Sequence, residues 1–238
     1  MKSLIRVASI AAFGAAGALS YGMTFFGSSG NLAAEADFSV VSNQLVVTLT
    51  NTSTADVLVP SDVLTAVFFN VTGDPTFSKV SAVVAPGSSV LFGTTDPGGV
   101  VGGEWAYLNG LSQFSANEGI SSTGLGIFGP GDVFPGSNLQ GPTSPDGLQY
   151  GITSAGDNPL TGNTPVTGTN ALIKNSVVFT LGNVPVGFEL NSIGNVTFLY
   201  GTALTEPNVP GHPPGVPGPW AAIPFVFGLA AGLRRRRR

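Results

Sequence analysis

The sequence contains no cysteine, and its single histidine is His212. Disulfide bonds and thiolate metal sites are therefore excluded, and one histidine cannot build a His-based catalytic triad or a His metal cluster. Charged residues make up only 9% of the chain, against about 25% in a typical soluble domain. Its polar surface must come from Ser, Thr, Asn and Gly, which is more typical of secreted β proteins than of cytosolic enzymes.

Basic residues are almost absent from the body of the chain. Between Glu35 and Pro219 there are two, Lys79 and Lys174, against all 13 acidic residues of the sequence, a balance of −11. A surface this acidic repels phosphate backbones. Nucleic acid is therefore not expected as a partner.

The N-terminus has the order of a secretory signal peptide. Lys2 and Arg6 precede an apolar stretch at 7–19, which has the length of a signal h-region and is too short for a spanning helix. A buried amphipathic helix is the alternative. We favour the signal peptide, with the Sec translocon and signal peptidase as partners, because charge, apolar run and small residues follow in the required order.

Two places match the pattern of small residues that precedes signal cleavage. The first is Ala34-Glu35-Ala36, which would make Asp37 the new N-terminus, and the second is Ala18-Leu19-Ser20. The first site predicts that residues 1–36 form the signal peptide.

The C-terminus combines a proline-rich stretch, a short apolar run and a basic cluster. Residues 207–219 hold six prolines without apolar periodicity, which predicts an extended stalk. Residues 220–238 begin with 14 largely apolar residues, which predict a short transmembrane helix. By the positive-inside rule, arginines that follow such a run stop its transfer. The predicted stop-transfer cluster is Arg234, Arg235, Arg236, Arg237 and Arg238.

Directly before the apolar run stands a proline motif made of Val216, Pro217, Gly218 and Pro219. Together with the apolar run and the arginines, it resembles the PEP-CTERM sorting signal of exosortase substrates. The usual motif has Glu at the position of Gly218, and the Val-Pro-Gly-Pro form looks like the cyanobacterial-type variant. The resemblance covers residues 216–238. It implies a transient inner-membrane anchor that a membrane-embedded exosortase removes near the motif.

The body, residues 37–206, is expected to be all-β. Apolar residues alternate along 44–50 after a turn-forming Ser42-Asn43, and an unbroken apolar run covers 63–71. The expected fold is an antiparallel two-sheet sandwich, Ig-like or jelly-roll-like, with long Gly/Pro-rich loops between 93 and 170. Helices are expected only in the signal and the C-terminal segment. Further strands are predicted at 37–41, 76–85, 89–92, 104–108, 171–181 and 192–201.

The opening of the body, 45–53 followed by 62–69, looks like that of one of the exosortase-dependent surface-protein families. This resemblance implies no catalytic residues.

Three sets of side chains carry chemical hypotheses. Trp105 and Tyr107 alternate on one strand face, so they form either a sugar-stacking platform or a core pair. Glu104 and Glu118 could supply the two carboxylates of a glycosidase, for which a separation of about 5–10 Å is required. The aspartates of the Gly/Pro-rich loops are either calcium ligands or turn formers. They are Asp132, Asp146 and Asp157.

These observations predict an exported surface or extracellular-matrix protein with a structural or interaction role, without catalytic residues, metal or cofactor. A secreted carbohydrate-binding module is the alternative, with extracellular polysaccharide as its partner, and a glycosidase is a more distant one.

Overall fold

The computed structural model describes residues 22–129, 136–140 and 147–214. Within them the alternating apolar pattern forms β-strands joined by loops and short 3-10 turns, and no helix there has the length and apolar character to span a membrane. The 3-10 turns cover Pro60–Asp62, Gly102–Glu104, Gln113–Ser115, Thr164–Val166 and Leu190–Ser192. The strands are β1 (Gly22–Ser29), β2 (Leu32–Val41), β3 (Gln44–Asn51), β4 (Leu64–Val71), β5 (Ser78–Val84), β6 (Ser89–Leu91), β7 (Ala106–Asn109), β8 (Glu118–Ser121), β9 (Ile152–Thr153), β10 (Leu172–Lys174), β11 (Ser176–Gly182), β12 (Ile193–Tyr200) and β13 (Asn208–Pro210).

The strands form two sheets, which confirms the predicted all-β, two-sheet architecture. The first sheet has the order β1-β2-β3-β11-β5, and every pairing in it is antiparallel. The second has the order β13-β12-β4-β9-β10-β6, with β8 beside β4 and β7 beside β8. Its β9–β10 pairing is parallel. Strands from early and late in the chain meet, because β3 pairs with β11 and β4 with β12.

The main core lies between the sheets. Leu45, Val47 and Leu49 alternate inward along β3, and Phe179 packs into the same cluster from β11. Each such side chain contributes roughly 1.5–3 kcal/mol when it is fully buried. Strand β4 is buried on both faces, because its second face is covered by a smaller cluster around Phe68. Double coverage explains why β4 reads as an unbroken apolar run.

The predicted turn between the second and third strands is confirmed. Ser42 and Asn43 have φ values of 51° and 61°, the left-handed conformation that a two-residue type I′ hairpin requires at both positions. The turn sets a register in which Val41 faces Gln44, so the apolar residues of β2 and β3 lie on the same face.

The single strand predicted at 171–181 is wrong. The predicted strand is interrupted at Asn175, whose φ is 88°. The residues before and after it form β10 and β11, which belong to different sheets. An apolar run gives no sign of such a crossover, whereas Asn is one of the few non-glycine residues that tolerates this backbone conformation.

The folded unit also extends beyond the predicted boundaries of 37 and 206. Strand β1 and half of β2 precede residue 37, and β13 lies inside the stalk predicted at 207–219. Phe26 and His212 exchange two backbone hydrogen bonds of 2.8 Å, which join the edge of the first sheet to the segment after β13. Gly27 permits this approach, since a Cβ there would lie 2.8 Å from the carbonyl oxygen of Pro210.

The sheets have two ends with different contents. At one end, which we call the outlet end, β1 begins at Gly22. The chain after His212 runs antiparallel to β1 toward this end, so Pro213 and Met23 line one groove there. At the opposite end, which we call the loop end, β3 finishes at Asn51 and β4 begins at Leu64. The connection after β9 leaves from this end, beside the start of β4.

Candidate functional site

Of the two alternatives for Trp105 and Tyr107, the structure shows the core pair and not the sugar-stacking platform. Trp105 has no solvent-exposed surface and Tyr107 is 4% exposed. The Trp105 ring lies 4.8 Å from that of Phe179, centroid to centroid, in the core between the sheets. The alternation did place both rings on one face, but that face packs against the first sheet and leaves no ring surface for a sugar.

Glu118 lies on β8 beside this aromatic pair and is completely buried. Its carboxyl oxygen Oε2 accepts a hydrogen bond of 2.6 Å from the hydroxyl of Tyr107. Burial raises the pKa of Glu118 to about 8, against the smaller opposing effect of the Tyr107 hydrogen bond. The carboxyl is therefore mostly protonated at neutral pH, which lowers the cost of holding it in an apolar core.

The predicted glycosidase pair is not assembled. Glu104 ends a 3-10 turn and lines a small recess of about 130 Å³ together with Asp96 and Tyr150. Glu118 has no solvent contact, so it cannot touch a glycosidic bond in this fold.

The predicted cleavage site at Ala34-Glu35-Ala36 lies within β2, where Ala34 and Ala36 are buried. Asp37, the predicted new N-terminus, accepts a hydrogen bond of 2.8 Å from the hydroxyl of Thr24 on β1. Cleavage before Asp37 would cut β2 and remove β1, so this site is incompatible with the fold. The small side chains have a packing reason instead, because they face the core.

Several predicted positions lie outside the described residues. They are Asp132, Asp146, the motif Val216–Pro219 and the cluster Arg234–Arg238, and the alternative cleavage site Ala18-Leu19-Ser20 is also among them.

Asp157, the remaining loop aspartate, lies at the loop end, where two connections meet. Its side chain is 4% exposed, and its Oδ1 accepts the backbone N–H of Val57 at 3.1 Å. From the other connection, Asp56 accepts the backbone N–H of Asn158 at 2.8 Å and the hydroxyl of Thr161. The two connections therefore hold each other in place, because each supplies a carboxyl group that accepts a backbone N–H of the other. Neither segment's sequence predicts this contact.

Apolar side chains stand exposed next to this brace. Leu160 is 85% exposed, and Leu58 is 48% exposed. The backbone oxygen of Leu58 accepts the N–H of Asn163 at 2.9 Å, so both leucines belong to the braced pair of loops. The loop end thus combines carboxyl groups with exposed apolar surface.

Among the described residues, no three His, Asp or Glu side chains group in a way that suits a metal ion. No protein-family model, curated protein or solved structure matches the chain.

Proposed function

We propose that this chain is an exported surface or extracellular-matrix protein with a structural or interaction role, sorted by an exosortase through its PEP-CTERM-like tail. The observation that carries the proposal is the order of motif, apolar run and five arginines over residues 216–238. The body is proposed to be an Ig-like or jelly-roll-like sandwich, which is supported by the pairing of early with late strands.

The export signal is proposed to end before β1. Ala18-Leu19-Ser20 satisfies the small-residue pattern and lies just upstream of Gly22, where β1 begins. Cleavage after Ser20 would keep β1 intact, including Phe25, which is buried in the core.

The outlet end supports the role of the tail. Gly22 and Pro214 leave the sheets at this same end, so an N-terminal signal and a C-terminal anchor can both reach one membrane without crossing the domain. A domain tethered there points its loop end away from the membrane. The exposed Leu58 and Leu160 would then face other surface components.

The side chains on which the two alternative functions depend are buried. A carbohydrate-binding module was expected to use Trp105 and Tyr107, which are buried, and a glycosidase was expected to use Glu118, which has no solvent contact.

The sorting proposal is tested by following a tagged chain in a host with an exosortase and in the same host without it. A tag between Val186 and Gly187 avoids the sheets, because Val186 is fully exposed and a Cβ at Gly187 would meet nothing within 4 Å. With the exosortase, the chain should lose its tail and leave the membrane. In the host without it, the chain should stay intact and membrane-bound.

Two variants of the arginine cluster isolate its physical role. Each arginine at the bilayer centre costs about 2.5–3.5 kcal/mol on insertion scales, so five oppose transfer by about 10 kcal/mol or more. Replacing all five with Ser should release unprocessed chain with its tail, whereas replacing them with Lys should preserve anchoring and processing. Retention and normal trimming of the Ser variant would contradict the proposal.

A further inference from the structure

The sequence contains one Asn-Gly pair, Asn109-Gly110. Asn109 is the last residue of β7, and Gly110 begins the connection to β8. In such a pair the backbone nitrogen of the second residue can attack the side-chain amide of the first. Glycine hinders this attack least, because it has no Cβ. The surroundings of the pair decide whether the folded chain permits the reaction.

The backbone nitrogen of Gly110 takes no part in the hydrogen bonds that surround it. Asn109 pairs with Glu118 in the β7–β8 ladder, and the N–H of Leu111 donates to the carbonyl of Asn117 at 3.1 Å. Between these two fixed residues, the N–H of Gly110 has no hydrogen-bond partner within the described part of the chain. Most backbone N–H groups of a folded protein are bonded. At Gly110, no hydrogen bond has to break before the nitrogen reacts.

The turn at Gly110 is open to solvent. Gly110 is exposed, and its φ of 69° is a left-handed conformation that glycine adopts readily. A Cβ built on Gly110 would meet no atom within 4 Å. The side chain of Asn109 is half-buried, and its Nδ2 donates to the hydroxyl of Thr76 at 3.2 Å near the surface. Water can therefore reach the turn in which the nitrogen and the amide lie.

We propose that Asn109-Gly110 is a site of spontaneous deamidation in the folded protein. The nitrogen of Gly110 gives its proton to hydroxide and bonds to Cγ of Asn109. The bond from Cγ to the amide nitrogen then breaks, and ammonia leaves with a proton taken from water. Water opens the resulting cyclic imide at one of its two carbonyls. The product is aspartate or isoaspartate at position 109, with one water consumed and one ammonia released.

The asparagines that precede serine lack this combination of features. They are Asn175 and Asn191. The N–H of Ser176 donates to a serine hydroxyl at 3.1 Å, and the N–H of Ser192 donates to the backbone carbonyl three residues earlier at 3.0 Å. Both nitrogens are held by hydrogen bonds, and both belong to residues with a Cβ. The structure therefore favours reaction at Asn109 over these two positions.

Deamidation would alter the strand pair beside the core carboxyl. Asn109 and Glu118 lie directly opposite each other, so their side chains are on the same face of the sheet. The reaction adds one negative charge at position 109, and isoaspartate also adds one carbon to the main chain at the end of β7. This inference concerns the folded domain and does not depend on the sorting proposal.

The test follows the purified full chain at 37 °C, at pH 6 and at pH 8, by peptide mass spectrometry over several weeks. At pH 8 the peptide that holds Asn109 should gain about 1 Da and separate into two products. Peptides that hold Asn175 or Asn191 should react at least about tenfold more slowly, since their attacking nitrogens are hydrogen-bonded and hindered. Reaction at Asn109 should be slower at pH 6, because fewer Gly110 nitrogens lose their proton.

Gly110→Ala and Asn109→Gln are the matched variants. Alanine adds a Cβ that hinders the nitrogen and meets no other atom within 4 Å, and glutamine places its amide one carbon too far for a five-membered ring. Both variants should slow the reaction at position 109 by at least about tenfold. Equal rates at Asn109 and Asn191 in the wild type would overturn the proposal. Reaction at Asn109 in urea but not in the folded chain would also overturn it, because the fold would then protect the site.

Discussion

Two regions of the molecule bury a carboxyl group, and they do so in different surroundings. In the core, Glu118 is completely buried and has Tyr107 as its hydrogen-bond donor. Burial, reinforced by the charge of Asp74, raises the pKa of the first group and makes it a neutral structural element. At the loop end, Asp157 accepts the backbone N–H of Val57 and Asp56 accepts that of Asn158, so the second group is part of the brace between two connections.

The largest expected effect is a loss of stability with rising pH, caused by the core carboxyl. The unfolded chain releases the Glu118 proton near its ordinary pKa of 4.5, while the folded chain keeps it to about 8. Between these values the native state binds more protons, so the free energy of unfolding falls as pH rises. Urea unfolding should give about 3 kcal/mol less at pH 8 than at pH 5.

Glu118→Gln is the control for this pH dependence, because the amide oxygen still accepts from Tyr107 but no longer titrates. Its stability should vary much less over the same range. An equally steep loss in this variant would assign the effect to other acids.

The next prediction compares the loss of a hydrogen bond to a buried acceptor with the loss of one to an acceptor near the surface. Tyr107→Phe removes the donor to Glu118 and should lower the free energy of unfolding by about 2 kcal/mol, since a buried polar group is left unsatisfied. The matched change Tyr150→Phe removes a hydrogen bond of 2.8 Å to the carbonyl of Thr94 near the surface. Water can replace that bond, so the cost should be at most about 1 kcal/mol. Equal losses in denaturant unfolding would contradict the distinction.

Removing the charge of the loop carboxyl, Asp157, should stabilise the fold, whereas removing the donor to the core carboxyl destabilises it. At pH 8, Asp157→Asn should stabilise the fold by about 0.5 kcal/mol, because it removes repulsion from Asp56 and can keep the contact with Val57. Chemical unfolding of the variant and the wild type at pH 8 measures the change. A loss above about 1 kcal/mol would mean that the charge of Asp157 itself holds the loops together.

The smallest effect concerns the exposed apolar surface. Leu160→Ser should change the free energy of unfolding by less than about 0.5 kcal/mol, since Leu160 is 85% exposed. Leu64→Ala, in the core strand β4, should instead cost about 2–5 kcal/mol. A large effect of the Leu160 change on stability would show that this side chain packs in the fold and is not a free surface.

The local sequence pattern predicted those elements that depend on neighbouring residues in the chain. The β2–β3 hairpin follows from Ser42-Asn43 between alternating strands, and β4 follows from its apolar run. The sequence could not decide which face of a strand meets the other sheet, so the orientation of Trp105 and Tyr107 was predicted but their burial was left open. Residues distant in the chain, such as Asp56 and Asp157, become neighbours only when β3 and β9 reach the same end.

The error at the N-terminus has a specific cause. Small residues two positions apart fit a signal peptidase, and they also fit a strand whose inward side chains lie under a crowded core. Ala34 and Ala36 satisfy both patterns, and only the pairing of β2 with β1 and β3 separates them. Strand β13 was missed because it lies within a proline-rich stretch, which predicted an extended stalk. A strand at the edge of a sheet tolerates proline, and Pro210 is such a case.

The most direct test of the account is the intact mass of the protein recovered from outside an exosortase-containing cell, with terminal peptides sequenced. We predict a chain that begins at Tyr21, or at most a few residues upstream, and ends between Val216 and Pro219. A chain that begins at Asp37 would contradict the fold, because it lacks β1. A chain that still carries Arg234–Arg238 would contradict the proposed sorting.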